Sequence, residues 1–231
     1  MTDDAWFGVT PEPVAKYVYA RTQSLCSQCS RSDADPACLY SQIASDMYGT
    51  DASKTTLIDM FGGAGGNTIA FALSERWEHV ISIEKDAATL ACAQANAEIY
   101  GVDESYISWI HGDSFEFLDA LINRPESLHP DLRVDVGKTV IFASPPWGGP
   151  GYKTAQIFDL HTMQPYNLHQ LHTAAGNMDH ALYLPRTSDI RQLAKLVPDG
   201  HKIDVVQYCI MGASKAMVAY FPGEYPSNSA T

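Results

Sequence analysis

A glycine-rich loop is the strongest chemical signal in the sequence. Residues 59–67 read DMFGGAGGN, directly after a short apolar run and directly before a helical pattern. The glycines of this loop let the backbone approach a ligand closely and point its amides at it: Gly62, Gly63, Gly65 and Gly66. Because the loop joins a predicted strand to a predicted helix, it predicts a binding site for a nucleoside cofactor.

Three carboxylates follow successive apolar runs and narrow the choice of cofactor. Glu84 ends the second run, where a carboxylate can accept hydrogen bonds from both ribose hydroxyls. Asp59 opens the glycine loop, where an acid suits an amino-acid ammonium and opposes a pyrophosphate. Asp113 follows the third run, where it can accept from an adenine amino group. The set favours S-adenosylmethionine, with a nicotinamide dinucleotide as the alternative.

The segment SPPW, residues 144–147, follows the fourth apolar run. Its two prolines remove backbone donors and hold the chain extended, so the carbonyls of Ser144 and Pro145 can accept hydrogen bonds from a ligand. Two acceptors suit an exocyclic amine on an aromatic ring, a weak nucleophile whose reaction depends on orientation. Trp147 offers a stacking face, and tryptophan is the best aromatic residue for a cationic ring such as 7-methylguanine.

The elements that must position these residues alternate between strand and helix. Strands are predicted at residues 56–61, 79–84, 106–111 and 139–143, and helices at 67–77, 87–100 and from Asp113 or Ser114 to 122. Such alternation predicts a parallel sheet covered on both faces. Further on, a strand at 181–184, a helix at 190–196 and strands at 202–210 and 216–221 predict an antiparallel hairpin that completes the sheet.

Length and charge limit the class of protein. The 231 residues suffice for one domain, 1–231, in which 22–54 is predicted to be a polar insertion and 222–231 a tail. The net charge is −12, and residues 1–132 contain 7 Lys or Arg against 20 Asp or Glu. A protein that grips long nucleic acid through its phosphates needs a basic surface, so only a short, distinctive nucleic-acid feature is expected as a ligand. No run approaches the ~20 apolar residues of a membrane span.

The five cysteines form no even framework, which predicts reduced thiols in an intracellular compartment. Cys26, Cys29 and Cys38 raise the alternative of structural zinc, but no fourth ligand lies near them in the sequence. We therefore expect no metal. Cys92 on a helix and Cys209 on a strand are predicted to lie in the core.

Taken together, the longer motifs resemble those of the trimethylguanosine synthase family. The resemblance rests on SPPWGGPGY at 144–152, WFGVTPE at 6–12, NAEIYG at 96–101 and LPR at 184–186. It implies a class I, Rossmann-like S-adenosylmethionine-dependent methyltransferase with a mostly parallel seven-stranded sheet and a C-terminal antiparallel hairpin. Family members carry a basic, aromatic segment before the 6–12 motif, so we expect this chain to represent a catalytic core.

The resemblance also implies a role for each matching residue. The residues expected to hold the cofactor are Thr10, Asp59, Gly62, Gly63, Gly65, Asn67, Glu84 and Asp113. Ser144 and Pro145 would orient the guanine N2 amine and Trp147 would stack on the methylated base, which makes these three the expected catalytic residues. Substrate contacts are also implied for Asn96 at the guanine edge and for Tyr152 and Arg186 at cap phosphates or ribose, with Lys153 as a weaker candidate.

The activity implied by the resemblance is methyl transfer to the N2 amine of a 7-methylguanosine RNA cap, which gives 2,2,7-trimethylguanosine. The implied partners are capped small nuclear and nucleolar RNAs, without DNA or membrane, and the implied location is the nucleus and nucleolus, with the cytoplasm second. The alternatives are another guanine N2 or an adenine N6 as the methyl acceptor, and a non-catalytic scaffold that binds S-adenosylmethionine.

Overall fold

One mixed sheet organises the described part of the protein. The computed structural model describes residues 51–149, 152, 155–210 and 213–224. The strands found in these residues are β1 Thr56–Asp59, β2 His79–Glu84, β3 Ile107–His111, β4 Thr139–Ala143, β5 Asp179–Pro185, β6 Asp204–Ile210 and β7 Ala213–Phe221. Strands β2 and β4 have the predicted bounds, and the others differ from prediction by a few residues at one or both ends.

The strand order is β3-β2-β1-β4-β5-β7-β6. The first five strands in that order run parallel to one another. Strand β7 lies antiparallel between β5 and β6 and completes the sheet as a hairpin. This topology confirms the predicted mostly parallel sheet of seven strands with an antiparallel C-terminal hairpin.

Helices connect the parallel strands. Those in the described residues are α1 Gly66–Leu73, α2 Ala87–Ile99, α3 Ser114–Asn123, α4 Leu168–Ala175 and α5 Ile190–Ala194. Of the two residues predicted to start α3, Asp113 is the N-cap, because its side chain accepts from the amides of Phe115 and Glu116. Helix α4 was not predicted, although Asn167 and Gln170 form a reciprocal capping box at its start.

The sheet buries apolar side chains on both faces, as the strand composition predicts. On one face Ile58, Ile81 and Ile141 belong to a large cluster with residues of α3 and α4. On the other face Leu57 and Val140 belong to a second cluster with residues of α1. Both faces of β1 and β4 are buried, so these strands hold in place the starting points of the loops that follow them.

Strand β6 lies at a lateral edge of the sheet, where β7 is its one partner among the described strands. The prediction that Cys209 lies in the core is wrong, because this edge position leaves the side chain exposed. Cys92 is half-buried on α2. The part of the chain that the structure describes contains no group of three side chains able to hold a metal ion. The cysteines at 26, 29 and 38 lie outside it.

Asp179, the first residue of β5, contacts residues near both ends of the described part of the chain. It accepts from Nζ of Lys54 at 2.7 Å and from the amide of Gly223 at 2.6 Å. Lys54, the last residue of the predicted insertion (22–54), and Gly223, near the start of the predicted tail (222–231), are therefore both held against β5. The rest of these segments, 22–50 and 225–231, lies outside the described residues. None of the helices within the described segments is long and apolar enough to cross a membrane.

Candidate active site

The predicted site residues lie at the carboxyl ends of neighbouring parallel strands, which together form one edge of the sheet. Asp59, the last residue of β1, pairs with Ser82 of β2 on one side and with Phe142 of β4 on the other. The chain therefore leaves β1 between Glu84, which ends β2, and Ser144, which follows β4. The carboxyl ends of parallel strands are where ligands bind in sheets of this kind.

Asp59 lies inside the protein beneath the glycine loop. Its carboxyl is fully buried and accepts from Oγ1 of Thr68 at 2.7 Å and from the amide of Phe61 at 3.3 Å. Burial raises the pKa of Asp59 to about 6, against the lowering effect of these two hydrogen bonds. The carboxyl thus stabilises the start of the glycine loop through these hydrogen bonds. Its predicted contact with the cofactor stays a prediction.

Two of the glycines are required by close packing and backbone geometry. A methyl group on Gly62 would lie 2.3 Å from Oγ of Ser82, well inside van der Waals contact. Gly65 caps α1 with φ +90°, a conformation that side chains disfavour, and it lies against Ala93 of α2. The loop is therefore pressed onto β2 and α2, which brings its amides to the edge of the sheet.

Glu84 is held by backbone amides in the position predicted for a ribose ligand. Its Oε2 accepts from the amide of Gly63 at 2.9 Å and its Oε1 accepts from the amide of Asp86 at 2.8 Å. Each carboxylate oxygen has a further lone pair, so the group can accept two more hydrogen bonds from hydroxyls. The glycine loop and the end of β2 therefore fix this carboxylate before any ligand binds.

Asn67 carries an orphaned polar atom in the first turn of α1. Its Oδ1 is buried and makes no hydrogen bond to any residue in the described part of the chain. A buried acceptor without a donor is costly, and such atoms commonly mark a place where a ligand or water binds. This geometry fits the predicted role of Asn67 in binding the cofactor.

Asp113 lies at the start of α3 with one carboxylate oxygen turned to the helix. That oxygen accepts from the amide of Phe115 at 2.9 Å, and the other accepts from Nζ of Lys85 at 3.0 Å. Burial alone would raise the pKa of Asp113, but these hydrogen bonds outweigh it and lower the pKa below its ordinary value. The group is therefore an ionised acceptor, to which an adenine amine could donate.

An aromatic cluster adjoins Asp113 and was not predicted. Ring centroids of Phe115 and Tyr166 lie 4.5 Å apart, and Phe61 of the glycine loop lies 5.6 Å from Tyr166. A groove of about 620 Å³ begins at this cluster and continues between α3 and α4. Two members of this cluster could have been predicted from the sequence, because Phe61 and Phe115 each stand two positions after an acid predicted to bind the cofactor.

The SPPW segment begins where β4 ends. Ser144 is half-buried, Pro145 is buried and Trp147 is half-buried. The indole Nε1 donates to the backbone carbonyl of Tyr183 at 3.3 Å, and its ring packs at 84° to that of Tyr152, with centroids 4.8 Å apart. Trp147 therefore stands at the same edge of the sheet as the glycine loop, held by protein contacts and still partly accessible.

Other predicted residues lie near this edge or outside the described residues. Asn96 donates from Nδ2 to the carbonyl of Ala64 at 2.9 Å, so α2 holds the glycine loop through it, and its guanine contact stays a prediction. Arg186 follows the last residue of β5 and is exposed, as expected for a phosphate ligand. Thr10 and Lys153 lie outside the described residues.

Comparison with solved structures identifies the class of fold. A putative methyltransferase from Porphyromonas gingivalis W83 aligns with TM-score 0.56 and 17% identity over 80% of this chain and 41% of its own. The METTL16 MTase domain aligns with TM-score 0.54 and 15% identity over 80% of this chain and 67% of its own. Together with the strand order, these neighbours define the Rossmann-like fold of S-adenosylmethionine-dependent methyltransferases.

Sequence comparison then gives the particular family. The family model described as RNA cap guanine-N2 methyltransferase matches residues 54–224. Trimethylguanosine synthase of Schizosaccharomyces pombe is 35% identical over 167 residues, 71% of this chain and 64% of the relative. That of Saccharomyces cerevisiae is 27% identical over 198 residues, 84% of this chain and 51% of the relative. This chain therefore belongs to the RNA cap guanine-N2 methyltransferase family, although it spans only part of these relatives.

Proposed function

We propose that this chain transfers a methyl group from S-adenosylmethionine to the N2 amine of a 7-methylguanosine RNA cap, giving 2,2,7-trimethylguanosine. The observation that carries the proposal is the adjacency of the glycine loop and the SPPW segment. The loop follows β1 and the segment follows β4, and these two strands are direct neighbours in the sheet. A cofactor on the loop and an amine on Ser144 would therefore meet at one edge.

The residues at this edge fit S-adenosylmethionine. Glu84 has lone pairs left for the ribose hydroxyls, and Asp113 is an ionised acceptor beside the aromatic ring of Phe115, which suits an adenine. The buried Oδ1 of Asn67 can accept from the ligand's polar hydrogens. When bound, this cofactor supplies an electrophilic methyl group on a sulfonium.

The chain's own contribution to the reaction is orientation. The carbonyls of Ser144 and Pro145 would accept the two hydrogens of the guanine amine and turn its lone pair toward the methyl group. The amine needs no strong base beforehand, because its proton becomes acidic and leaves to solvent after the methyl group is attached. Most of the rate enhancement in this scheme comes from positioning.

Trp147 would stack on the methylated guanine. A methyl group on N7 gives the purine a positive charge, and an indole face attracts a cation more strongly than a neutral ring. This attraction explains why the N7 methyl group would be required first. The surface of the chain, with net charge −12, favours a short cap over a long stretch of phosphates.

By the family resemblance, we propose that capped small nuclear and nucleolar RNAs are the substrates, without DNA. The proposed location is the nucleus and nucleolus, with the cytoplasm second. Fluorescence microscopy of a tagged full-length protein tests the location. The substrates are tested by capturing RNA with an antibody to trimethylguanosine from cells with and without this protein and sequencing what is captured.

The activity is tested by mass spectrometry of a capped dinucleotide after incubation with cofactor. We expect mass gains of one and two methyl groups on 7-methylguanosine-capped dinucleotide and none on the unmethylated cap. Equal methylation of both caps would point to another guanine N2 as target. Methylation of an adenine oligonucleotide alone would point to adenine N6. Cofactor binding without transfer to any acceptor would indicate a scaffold.

A further inference from the structure

The indole of Trp147 is held by one residue through two separate contacts. The ring of Tyr183 lies 14° from parallel to the indole, with centroids 5.9 Å apart, which is an offset stack. The backbone carbonyl of the same residue accepts from indole Nε1 at 3.3 Å. The stack defines the plane of the indole and the hydrogen bond limits its rotation within that plane.

Tyr183 itself is fixed by the sheet. It lies on β5, where it pairs with Val218 of β7, and its neighbours Leu182 and Leu184 are buried on the opposite face. Its ring also packs against that of Phe142 on β4, with centroids 6.3 Å apart. The support under the indole is therefore a core strand, whereas Trp147 itself lies on a loop.

The loop alone does not hold the indole. Gly148 and Gly149, which directly follow Trp147, both have positive φ values, near +85°. Having no side chains, these two glycines cannot themselves pack against the indole. The contacts that hold the indole therefore come from Tyr183 and Tyr152 and not from the residues that directly follow it.

We propose that Tyr183 is a positioning residue for cap recognition, which presents the indole of Trp147 at the angle that the methylated guanine requires. The proposal rests on the proposed function, because it assigns the cap to Trp147. An indole without its stacking partner would occupy several orientations, and only some of these accept a purine. Loss of the Tyr183 ring therefore weakens cap binding, whereas the cofactor residues after β1, β2 and β3 are unaffected.

The test compares Tyr183→Leu with Tyr183→Phe in steady-state methylation of a 7-methylguanosine-capped dinucleotide. Since an aromatic pair contributes modestly, the leucine variant should raise KM for the cap about 3- to 10-fold and change kcat less than about twofold. The phenylalanine variant keeps the stack and should stay within about twofold of wild type in both. Affinity for S-adenosylmethionine, measured by calorimetry, should be the same for all three proteins.

A double-mutant cycle separates positioning from general damage. In a Trp147→Ala background, Tyr183→Leu should cause no further loss of affinity for 7-methylguanosine triphosphate, because the side chain that it positions is gone. Tyr106→Leu is the matched control, since Tyr106 is an exposed tyrosine that precedes β3 at the far edge of the sheet. It should leave cap affinity and cofactor affinity unchanged.

Several outcomes would overturn the proposal. An unchanged KM for the cap in Tyr183→Leu would show that the indole needs no partner. Equal losses of cap and cofactor affinity would indicate a purely structural role. A Tyr183→Phe variant as weak as Tyr183→Leu would show that the hydroxyl, and not the stacked ring, is what matters. If the wild type binds the cap analogue but transfers no methyl group to it, the proposed reaction fails, and the binding cycle still decides the role of Tyr183.

Discussion

Thr68 donates a hydrogen bond from Oγ1 to Oδ2 of Asp59 over 2.7 Å, and both side chains are fully buried. Because the hydroxyl has a single proton, Oγ of Ser82, 2.9 Å from Thr68 Oγ1, must donate to it in turn. A chain of hydrogen bonds thus runs from β2 through α1 to the end of β1. It holds the acid that opens the glycine loop.

Replacing Thr68 with valine should therefore destabilise the protein in a pH-dependent way. The variant keeps the side-chain shape but removes the shorter of the two hydrogen bonds to the buried carboxyl and leaves it only the amide of Phe61, which should lower the free energy of unfolding by about 1–3 kcal/mol. Because the pKa of Asp59 is about 6, the loss should be larger at pH 8, where the group is ionised, than at pH 5. Urea denaturation at both pH values measures it.

Ser82→Ala is the control for this experiment. It removes the neighbouring hydroxyl and keeps the hydrogen bond between Thr68 and Asp59, so its cost should be smaller and independent of pH. Equal destabilisation of Thr68→Val at pH 5 and pH 8 would mean that the carboxyl does not change its ionisation state between these pH values.

Gly62 should be replaceable only if its neighbour changes too. A methyl group at Gly62 would lie 2.3 Å from Oγ of Ser82, and the next nearest atom is the carbonyl oxygen of Ile83 at 3.4 Å. Gly62→Ala should therefore cost about 1–3 kcal/mol of unfolding free energy and displace the loop. In the double variant with Ser82→Ala most of that cost should disappear, as measured by urea denaturation. A double variant no more stable than the single one would place the clash elsewhere.

His180 should make the protein less stable in mild acid. Its ring is buried on β5, and burial lowers its pKa to about 4 from the ordinary 6.5. Its Nδ1 must donate to the carbonyl of Met178, so Nε2 accepts from Nδ1 of His172. The unfolded chain gains a proton that the folded protein excludes, so this group's contribution, about 3 kcal/mol, is present above pH 6.5 and is lost as the pH falls to 4.

The His180→Leu variant tests that contribution. The raised pKa of Asp59 acts in the opposite direction, because the folded protein keeps a proton between pH 3.8 and 6 that the unfolded chain releases. Without His180, the free energy of unfolding should therefore fall less steeply, or even rise, as the pH drops through this window. Thermal denaturation across pH 4–7 measures the change, with His169→Asn, an exposed histidine on α4, as the control. An unchanged pH dependence in His180→Leu would rule out His180 as the source.

Trp147→Ala should strongly reduce cap methylation and leave cofactor binding unchanged. Stacking of a base on an aromatic residue is worth enough that its loss should lower kcat/KM for the capped dinucleotide about 10- to 100-fold. Affinity for S-adenosylmethionine should not change, because its proposed ligands follow other strands. Calorimetry and steady-state kinetics measure the two effects separately. Normal turnover by this variant would contradict the proposed role of the indole.

Much of the fold could be predicted because its signals are local. Strands β2 and β4 have the predicted bounds, since short β-branched runs are bounded by clear turn signals. The start of α3 could be predicted to within one residue, Asp113 or Ser114, because an acid and a serine precede an apolar helical pattern. Helix α4 is not apparent from periodicity, because one proline and three histidines at 161–172 obscure its pattern, yet the pair Asn167 and Gln170 at its start is a usable signal.

The contacts within the site were less predictable because they join distant parts of the chain. Trp147 meets Tyr183 only through the pairing of β4 with β5, and no local pattern indicates that pairing register. For the same reason the contact of Asn96 with Ala64 was not foreseen. The types of residues at the site follow from the sequence, whereas the side chains that support them follow from the packing.

The double contact of Asp179 has a practical consequence. Lys54, before β1, and Gly223, after β7, bind the same carboxylate at the amino end of β5, which is the opposite edge of the sheet from the loops that follow β1 and β4. A fluorescent dye attached at Glu224 would therefore lie at the end of the sheet opposite to the proposed active site. It could signal unfolding during a titration with capped RNA without obstructing the RNA's approach.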